Sequence, residues 1–444
     1  MQDAPTQRPE PNSLEEFWMP FTPNRAFKAK PRLVSRASGV TLYNQYDEPV
    51  LDGSSGLFCS PAGHCHPKIV EAVHEQMKRN TYTTSFAMGH AGGFQLAAEV
   101  AQLTPEGVDH VFFTNSGSES VDTALKIAMA YHQAKGDNQR QRFVSRERAY
   151  HGVNIGGLSL SGMVRNRRQF PVTMPNVVML RHTFTGQELN KPGQPEHGAD
   201  LAEDLARLCA TYGGDQIAAV FVEPVAGSTG VLVPPKGYLQ RLREICDEHG
   251  VLLVFDEVIT GFGRMGYNFG AQTFGVTPDI MTMAKALTNG SIPMGAVAVK
   301  DEIYTTIADA TPEGANDLFH GYTYSAHPAA TAAGLAALSI YREEGLFERV
   351  FAMQDGFRDA AHSLADHPAV MDVRSIGLIA GVELHPKGGV GKLGAAMQEA
   401  LFWSGLHVKF TGDVGILAPQ FVAEPAQIAQ MIDIFRKGLD QHAA

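Results

Sequence analysis

The 444-residue chain is longer than a single hydrophobic core usually supports, so we expect two domains. Hydrophobic residues make up 44% and charged residues 19%, and the net charge of −11 argues against a broad nucleic-acid surface. The sequence lacks an apolar run of about 18 residues that would predict a membrane span. The proline-rich segment 1–12 lacks the apolar core of a signal peptide, and the four cysteines show no Cys-x-x-Cys spacing. We therefore expect a cytoplasmic protein without a metal site.

The first two-thirds of the chain alternate between strand and helix patterns. A small hairpin is predicted at 40–44 and 49–52, and helices follow at 68–77 and 95–103. Short apolar runs then predict strands at 111–113, 143–145, 217–222, 251–255, 280–283 and 296–299. Helical segments such as 238–249 separate most of these runs, and this alternation favours a mostly parallel sheet with helices on both faces.

From residue 329 the pattern changes to that of a compact α+β unit. Helices are predicted at 329–344, 346–362 and 425–441, with short strands at 370–373, 378–383, 408–410 and 415–417. A polar Gly/Pro-rich stretch at 188–198 predicts a surface loop. We therefore expect an α/β protein with an N-terminal segment 1–60, a large domain 61–328 and a small domain 329–444.

Two charged residues follow apolar runs in the large domain. The run 251–255 leads directly to Asp256, and the run 280–283 leads to Lys285, which lies 29 residues after Asp256. A lysine supplies the amine for a Schiff base with pyridoxal phosphate, and a carboxylate keeps the pyridine nitrogen of that cofactor protonated. Taken alone, a lysine after an apolar run is usually a solvated side chain. The neighbouring motifs must therefore decide the function.

The segment Asn115-Ser-Gly-Ser-Glu-Ser120 lies at a predicted strand-to-helix junction. Exposed amide groups at the start of a helix form a natural phosphate site. Gly117 lets the backbone approach the anion, and the hydroxyls of Ser116 and Ser118 can donate to its oxygens. An ordinary N-cap is the alternative interpretation of these serines. Thr323 offers one more hydroxyl for a phosphate, or is an ordinary loop residue.

Two further segments bring an aromatic ring and a carboxylate to the same domain. Tyr150, followed by His151, can stack on a flat cofactor, although a lone tyrosine is more often a core residue. Glu223 directly follows the apolar run 217–222, so it should emerge at the carboxyl edge of the sheet, where open α/β folds bind ligands. A solvated acid at a strand end is the alternative.

Taken in order, these motifs resemble those of the class III pyridoxal phosphate aminotransferases over nearly the whole chain. The opening Trp18-Met-Pro-Phe-Thr-Pro-Asn-Arg25 and the segment Asp52-Gly-Ser-Ser-Gly-Leu-Phe-Cys59 resemble the β-alanine or ω-amino-acid:pyruvate branch, which includes the ω-transaminases. The resemblance implies fold type I, with a seven-stranded, mostly parallel sheet and a small α+β domain built from both chain ends. It also implies a homodimer with shared active sites, with a tetramer left open.

The resemblance also implies roles for individual residues. Lys285 would be the Schiff-base lysine and proton carrier, and Asp256 would pair with the pyridine nitrogen. Val258 and Tyr150 would pack against opposite faces of the cofactor ring. The remaining cofactor-binding residues would be Ser116, Gly117 and Ser118 at the phosphate, His151 and Glu223 around the ring, and Thr323 at the phosphate of the neighbouring subunit.

Two positions depart from the pattern of the branch. Phe58 stands where many relatives carry tryptophan, and Lys409 stands near the place of a mobile arginine that binds carboxylates. Phenylalanine leaves more room, and lysine cannot fork two hydrogen bonds to a carboxylate as arginine does. We therefore expect a wide range of amine donors with a keto acid, pyruvate, as acceptor. The expected substrate pocket is formed by Trp18, Phe21, Phe58, Phe86 and Tyr150, with Lys409 at its edge.

Other functions stay open on the sequence alone. Class III relatives include decarboxylases, aminomutases and racemases, and the core motifs do not separate these reactions from transamination. A binding protein that keeps the fold without catalysis is a third alternative, although Lys285 and Asp256 together argue against it.

Overall fold

The computed structural model describes residues 13–171 and 173–443, so the segment 1–12 discussed above lies outside the described residues. The helices are α1 (Asn24–Ala29), α2 (Ser55–Phe58), α3 (Pro67–Arg79), α4 (Ala91–Leu103), α5 (Gly117–Ala134), α6 (Ile155–Leu160), α7 (Val164–Arg168), α8 (Glu203–Tyr212), α9 (Tyr238–His249), α10 (Gly270–Phe274), α11 (Asp301–Asp309), α12 (Pro328–Glu343), α13 (Leu346–His362), α14 (Lys392–Trp403) and α15 (Pro425–His442). The strands are β1 (Val34–Ser38), β2 (Thr41–Asn44), β3 (Pro49–Asp52), β4 (Val108–Thr114), β5 (Arg142–Arg146), β6 (Val177–Leu180), β7 (Ile217–Val222), β8 (Leu252–Asp256), β9 (Ile280–Met283), β10 (Gly295–Lys300), β11 (Val370–Ile376), β12 (Ile379–Leu384), β13 (Leu406–His407), β14 (Lys409–Thr411) and β15 (Val414–Leu417).

A seven-stranded sheet forms the centre of the large domain, in the order β4-β10-β9-β8-β7-β5-β6. The strands from β6 to β9 pair in parallel, and only β10 runs antiparallel to both of its neighbours. Every residue of β7, β8 and β9 is buried. Parallel strands covered on both faces require such continuous apolar runs, and the predicted mostly parallel sheet is confirmed.

Helices cover both faces of this sheet because successive strand residues point in opposite directions. Val254 packs in a hydrophobic cluster with residues of α5 such as Ala124. Its neighbours Leu253 and Phe255 pack in a second cluster that includes Leu242 of α9. The hydrophobic core therefore has two layers, one on each face of the sheet.

Two smaller four-stranded sheets flank the large sheet. Strands β11, β12, β15 and β14 form one four-stranded sheet near the C-terminus. The predicted N-terminal hairpin of β2 and β3 is present, and β13 from the C-terminal part pairs in parallel with β3, with Leu406 beside Leu51. Both ends of the chain therefore contribute to this part of the fold.

Most predicted elements appear close to their expected positions, whereas several short helices were not predicted. The predicted helices of the C-terminal part correspond to α12, α13 and α15. The sequence analysis missed α14 and the strands β1 and β6. The domain limits at residues 60 and 328 stay predictions. Across the part of the chain that the structure describes, we find no helix with the length and apolar character needed to cross a membrane.

Candidate active site

Three charged residues meet at the carboxyl edge of the central sheet. Glu223 directly follows β7, Asp256 is the last residue of β8, and Lys285 lies two residues beyond β9. The register places Val222 beside Phe255 and Asp256 beside Thr282. Since parallel neighbours end at the same edge, the three side chains share one region of the sheet.

Asp256 is almost completely buried and is held by two groups. Its Oδ2 lies 2.8 Å from Nδ1 of His151, and its Oδ1 accepts a hydrogen bond of 3.2 Å from the backbone N–H of Val258. His151 is also buried, and its Nε2 has no hydrogen-bond partner among the described residues. The histidine therefore fixes the orientation of the carboxylate and leaves one polar atom available.

Glu223 lies next to this pair and accepts a hydrogen bond of 3.0 Å from the backbone N–H of Tyr150 at its Oε1. The pKa of Glu223 is raised to about 7, mainly by burial. The nearby imidazole of His151 opposes this shift, and the charge of Asp256 adds to it. Glu223 therefore exchanges a proton near neutral pH, beside the carboxylate of Asp256.

Lys285 begins a short 3₁₀ turn with a φ of +49°, in the left-handed region. Burial lowers its pKa, although the neighbouring groups Cys59, Asp256 and Glu223 oppose that shift. Its Nζ lies 5.9 Å from the ring centroid of Phe58. A lowered pKa increases the fraction of neutral amine, which is the form of lysine that attacks a carbonyl and accepts a proton.

The start of α5 lies beside these residues. Ser116 is the N-cap of this 18-residue helix, and its hydroxyl accepts a hydrogen bond of 3.1 Å from the N–H of Glu119. A Cβ on Gly117 would lie 3.1 Å from both methyl groups of Val258, so only glycine gives this close approach without displacing the valine. Both the capping and the anion-binding interpretations of the sequence are therefore compatible with this helix start.

The turn that carries Tyr150 and His151 packs against the same helix. The hydroxyl of Ser118 accepts a hydrogen bond of 3.1 Å from the N–H of Val153. Gly152 has a φ of +97°, and a Cβ there would lie 2.6 Å from the Ser118 hydroxyl. This packing brings Ser118, Tyr150 and His151 to the site.

The predicted substrate residues separate into two groups. Phe58 is buried beside Lys285, and Lys409 is half-buried, with a pKa that burial lowers. In contrast, Trp18 is 88% exposed, Phe21 74% and Phe86 54%. Thr323 is also exposed, and its carbonyl accepts a hydrogen bond from Tyr82. The predicted roles of these four exposed residues stay predictions.

The sequence analysis did not single out Glu257, which lies beside Asp256. Its carboxylate accepts hydrogen bonds of 2.9 Å and 2.7 Å from the N–H groups of Gly270 and Ala271, and another from the hydroxyl of Thr260. Burial raises its pKa to about 7. The signal in the sequence was a second acidic residue directly after Asp256, which itself follows the apolar run 251–255.

Known proteins resemble this chain over nearly its whole length. The family profile described as aminotransferase class-III matches residues 24–439. The chain is 53% identical to an omega-aminotransferase of Caulobacter vibrioides, over 97% of this chain and 98% of that protein. It is 46% identical to an omega-amino acid–pyruvate aminotransferase of Pseudomonas putida, over 95% of this chain and 94% of that protein. The structure of the omega transaminase from Pseudomonas jessenii in complex with PMP is 31% identical, with a TM-score of 0.92 and coverage of 97% of both chains.

The fold is that of a fold type I pyridoxal phosphate-dependent transferase, with its polar residues at the carboxyl edge of the sheet. The chain belongs to the class III aminotransferase family. The resemblance drawn from the sequence motifs, the fold class and the prediction of an aminotransferase are therefore confirmed.

The buried carboxyl of Glu257 generates a prediction about pH and stability. Its pKa is about 7 in the folded protein against an ordinary value of 4.5, so the folded state keeps a proton that the unfolded chain has lost between these pH values. This contribution to stability is present at low pH and is lost as the pH rises through about 7. Glu257→Gln should therefore reduce the fall in melting temperature of the cofactor-free protein between about pH 5 and about pH 8.

Calorimetry across this pH range provides the measurement. Glu348→Gln, on the exposed face of α13, is the matched control and should leave the pH dependence of the melting temperature unchanged. Glu223 keeps its own pH dependence in both variants. An unchanged slope for Glu257→Gln would contradict a raised pKa at this residue.

Proposed function

We propose that this protein is an ω-transaminase that transfers the amino group of an amine or ω-amino acid to pyruvate, giving alanine, by a ping-pong mechanism. The observation that carries the proposal is the half-buried Lys285 with its lowered pKa, placed with Asp256 and Glu223 at the carboxyl ends of adjacent strands. The names of the relatives from Caulobacter vibrioides and Pseudomonas putida support the substrate class.

The described residues fit pyridoxal phosphate. The N–H groups at the start of α5 and the hydroxyls of Ser116 and Ser118 offer donors for a phosphate, and Gly117 lets Val258 pack closely against this helix start. Asp256 would hold the proton of the pyridine nitrogen, while Val258 and Tyr150 would pack on the two ring faces. When bound, this cofactor supplies an electron sink for the charge that develops on the substrate carbon.

The remaining steps belong to the side chains of the chain itself. Lys285 would hold the cofactor at rest, and its Nζ, released when the amine of the substrate takes its place, would then accept the proton from the substrate carbon that carries the amino group. His151 keeps Asp256 oriented through the 2.8 Å contact between Nδ1 and Oδ2. Phe58 covers Lys285 on one side and excludes water, which favours the neutral amine.

We further propose that the protein acts as a homodimer with shared active sites. A cleft of about 980 Å³ on the described surface is lined largely by apolar side chains, including Phe86, Phe94 and Phe319. Phe94 is 76% and Phe319 89% exposed, which is unusual for a surface that stays free in water. A partner subunit on this surface would also cover Phe86 and Thr323, which are exposed to solvent in a single chain.

The first prediction from this proposal concerns Lys285, the central lysine of the site. Lys285→Ala should remove the absorbance of covalently attached cofactor and reduce the formation of alanine from an amine and pyruvate by roughly a thousandfold or more, because both the attachment point and the proton carrier are lost. Lys437→Ala, at an exposed position on α15, is the control and should keep both properties.

Product analysis of the same reaction tests the type of chemistry. A transaminase yields one carbonyl compound for each alanine, whereas a decarboxylase releases carbon dioxide and a racemase leaves pyruvate unchanged. Turnover and absorbance in Lys285→Ala close to those of the unmodified protein would exclude the proposed mechanism.

The second prediction concerns Lys409. This half-buried lysine offers a compact charge, whereas arginine forks two hydrogen bonds to a carboxylate. Lys409→Arg should lower the KM for β-alanine relative to that for an arylalkyl amine by roughly tenfold, since one charge-assisted hydrogen bond contributes about 1.5–3 kcal/mol. Steady-state kinetics with pyruvate give the ratio.

Lys409→Met serves as the control, because it keeps the length of the side chain and removes its charge. It should leave the KM for the arylalkyl amine close to that of the unmodified protein. Equal or better activity of the unmodified protein on β-alanine than on a bulky arylalkyl amine would contradict the proposed donor range.

The third prediction concerns the apolar cleft. Phe94→Asp should shift the protein from dimer to monomer and reduce activity, since a carboxylate in an apolar interface remains unpaired and poorly solvated. Sedimentation velocity measures the assembly. Val390→Asp, at another exposed apolar position, is the control and should leave the dimer intact. If the unmodified protein were monomeric and catalytically active, the shared-site proposal would be overturned.

A further inference from the structure

A buried carboxylate outside the catalytic group holds the segment that carries Phe58. Asp52 is the last residue of β3 and is fully buried. Its Oδ1 accepts a hydrogen bond of 3.1 Å from the N–H of Ser54. Its Oδ2 accepts hydrogen bonds of 2.5 Å from the N–H of Gly56, 2.7 Å from Nε2 of His64 and 2.9 Å from the side-chain amide of Gln420.

The charge of Asp52 is compensated by its surroundings. Burial by itself raises the pKa of Asp52, but the hydrogen bond from His64 and the proximity of His407 outweigh burial, so the net pKa is lowered. His407 also donates a hydrogen bond of 3.2 Å from Nε2 to the carbonyl of Gly56. Both peptide groups of Gly56 are therefore held by side chains.

The turn from Ser54 to Phe58, the Phe58 turn, requires such support. Ser55 has a φ of +48°, Gly56 of +68° and Phe58 of +63°. Serine and phenylalanine rarely adopt the left-handed region, and such conformations persist only where the surroundings enforce them. Asp52 supplies that enforcement by binding two N–H groups within the turn.

This turn positions two groups of the proposed donor pocket. Its last residue, Phe58, places its ring centroid 5.9 Å from Nζ of Lys285. Its first hydroxyl, that of Ser54, accepts a hydrogen bond of 2.9 Å from the backbone N–H of Lys409 and donates one of 2.8 Å to the carbonyl of Ile416. Asp52 therefore supports the positions of both Phe58 and Lys409, the two residues that depart from the pattern of the related enzymes.

We propose that Asp52, together with His64, is a positioning residue that determines donor selectivity by holding the Phe58 turn against Lys285. The inference rests on the proposed transaminase function and deepens it. With the turn held, the ring of Phe58 forms a fixed wall beside Lys285, and Lys409 keeps its place through Ser54. With the turn released, the ring of Phe58 can move aside for larger donors. Donors with a carboxylate then no longer meet the ammonium group of Lys409 at a fixed position.

Asp52→Asn is the direct test. Asparagine keeps the shape of aspartate but has only one acceptor oxygen, so in either orientation its NH₂ group faces an N–H of Ser54 or Gly56 that aspartate now binds, and the turn loses part of its support. We expect the ratio of kcat/KM for an arylalkyl amine to that for β-alanine to rise roughly tenfold, mainly through KM, because pocket shape changes discrimination by factors of this size. Hydrogen exchange at the amides of Gly56 and Phe58 should become faster in the cofactor-loaded protein.

His64 provides a second pair of variants that disturbs the core less, since its side chain is partly exposed. His64→Ala removes the donor to Asp52 and should raise the same ratio, whereas His64→Gln restores a neutral donor and should return the ratio towards that of the unmodified protein. Asp372→Asn is the control for losing a buried carboxylate, because Asp372 pairs with Arg374 in β11 and has no contact with the Phe58 turn. It should change stability without changing the ratio.

The outcomes separate the two proposals. An unmodified protein that uses neither donor would overturn the transaminase proposal and this inference with it. An active protein whose donor ratio is the same in Asp52→Asn and His64→Ala as in the unmodified protein would overturn this inference alone. A ratio that shifts equally in Asp372→Asn would also overturn it, because the effect would then follow from lost stability.

Discussion

The parallel pairing of β7, β8 and β9 is the constraint on which the rest of the site depends. These strands are buried along their whole length, so their polar continuations can emerge only at the edge where the strands end. Parallel pairing makes that edge common to all three. A lysine and two carboxylates from distant parts of the sequence are thereby brought together without any of them lying in a strand interior.

Burial at this edge determines the protonation chemistry. The same exclusion of water lowers the pKa of Lys285 and raises the pKa of Glu223, because each charged form loses its hydration. The positive end of α5 lies nearby and adds the backbone donors that an anion requires. An amine with a lowered pKa, a carboxyl with a raised pKa and a helix start that offers backbone donors thus arise from one arrangement of strands and helices, which is a coherent basis for amino-group chemistry.

Much of the large domain was predictable because its elements are strongly patterned. Continuous apolar runs predicted β7, β8 and β9 within one residue, and helix periodicity predicted α9, α12 and α13. The short strands β1 and β6 and the 12-residue helix α14 were missed, since their residues are stabilised by packing against distant partners rather than by local pattern. Gly117 was predicted as the point where the backbone approaches a phosphate, and this stays a prediction; the structure adds that a Cβ there would lie 3.1 Å from the methyl groups of Val258.

By itself, the sequence determined the chemistry at the centre of the site. An apolar run that ends in Asp256 and another that leads to Lys285 leave these residues no place but the edge of a buried sheet, because burying an unpaired charge is costly. Only the tertiary structure decided which neighbours they meet. His151 reaches Asp256 across 105 positions of the chain, and the Phe58 turn is fixed by contacts of Asp52 with Gln420, 368 positions away. Such contacts depend on how separate elements pack, and local sequence patterns carry no record of that packing.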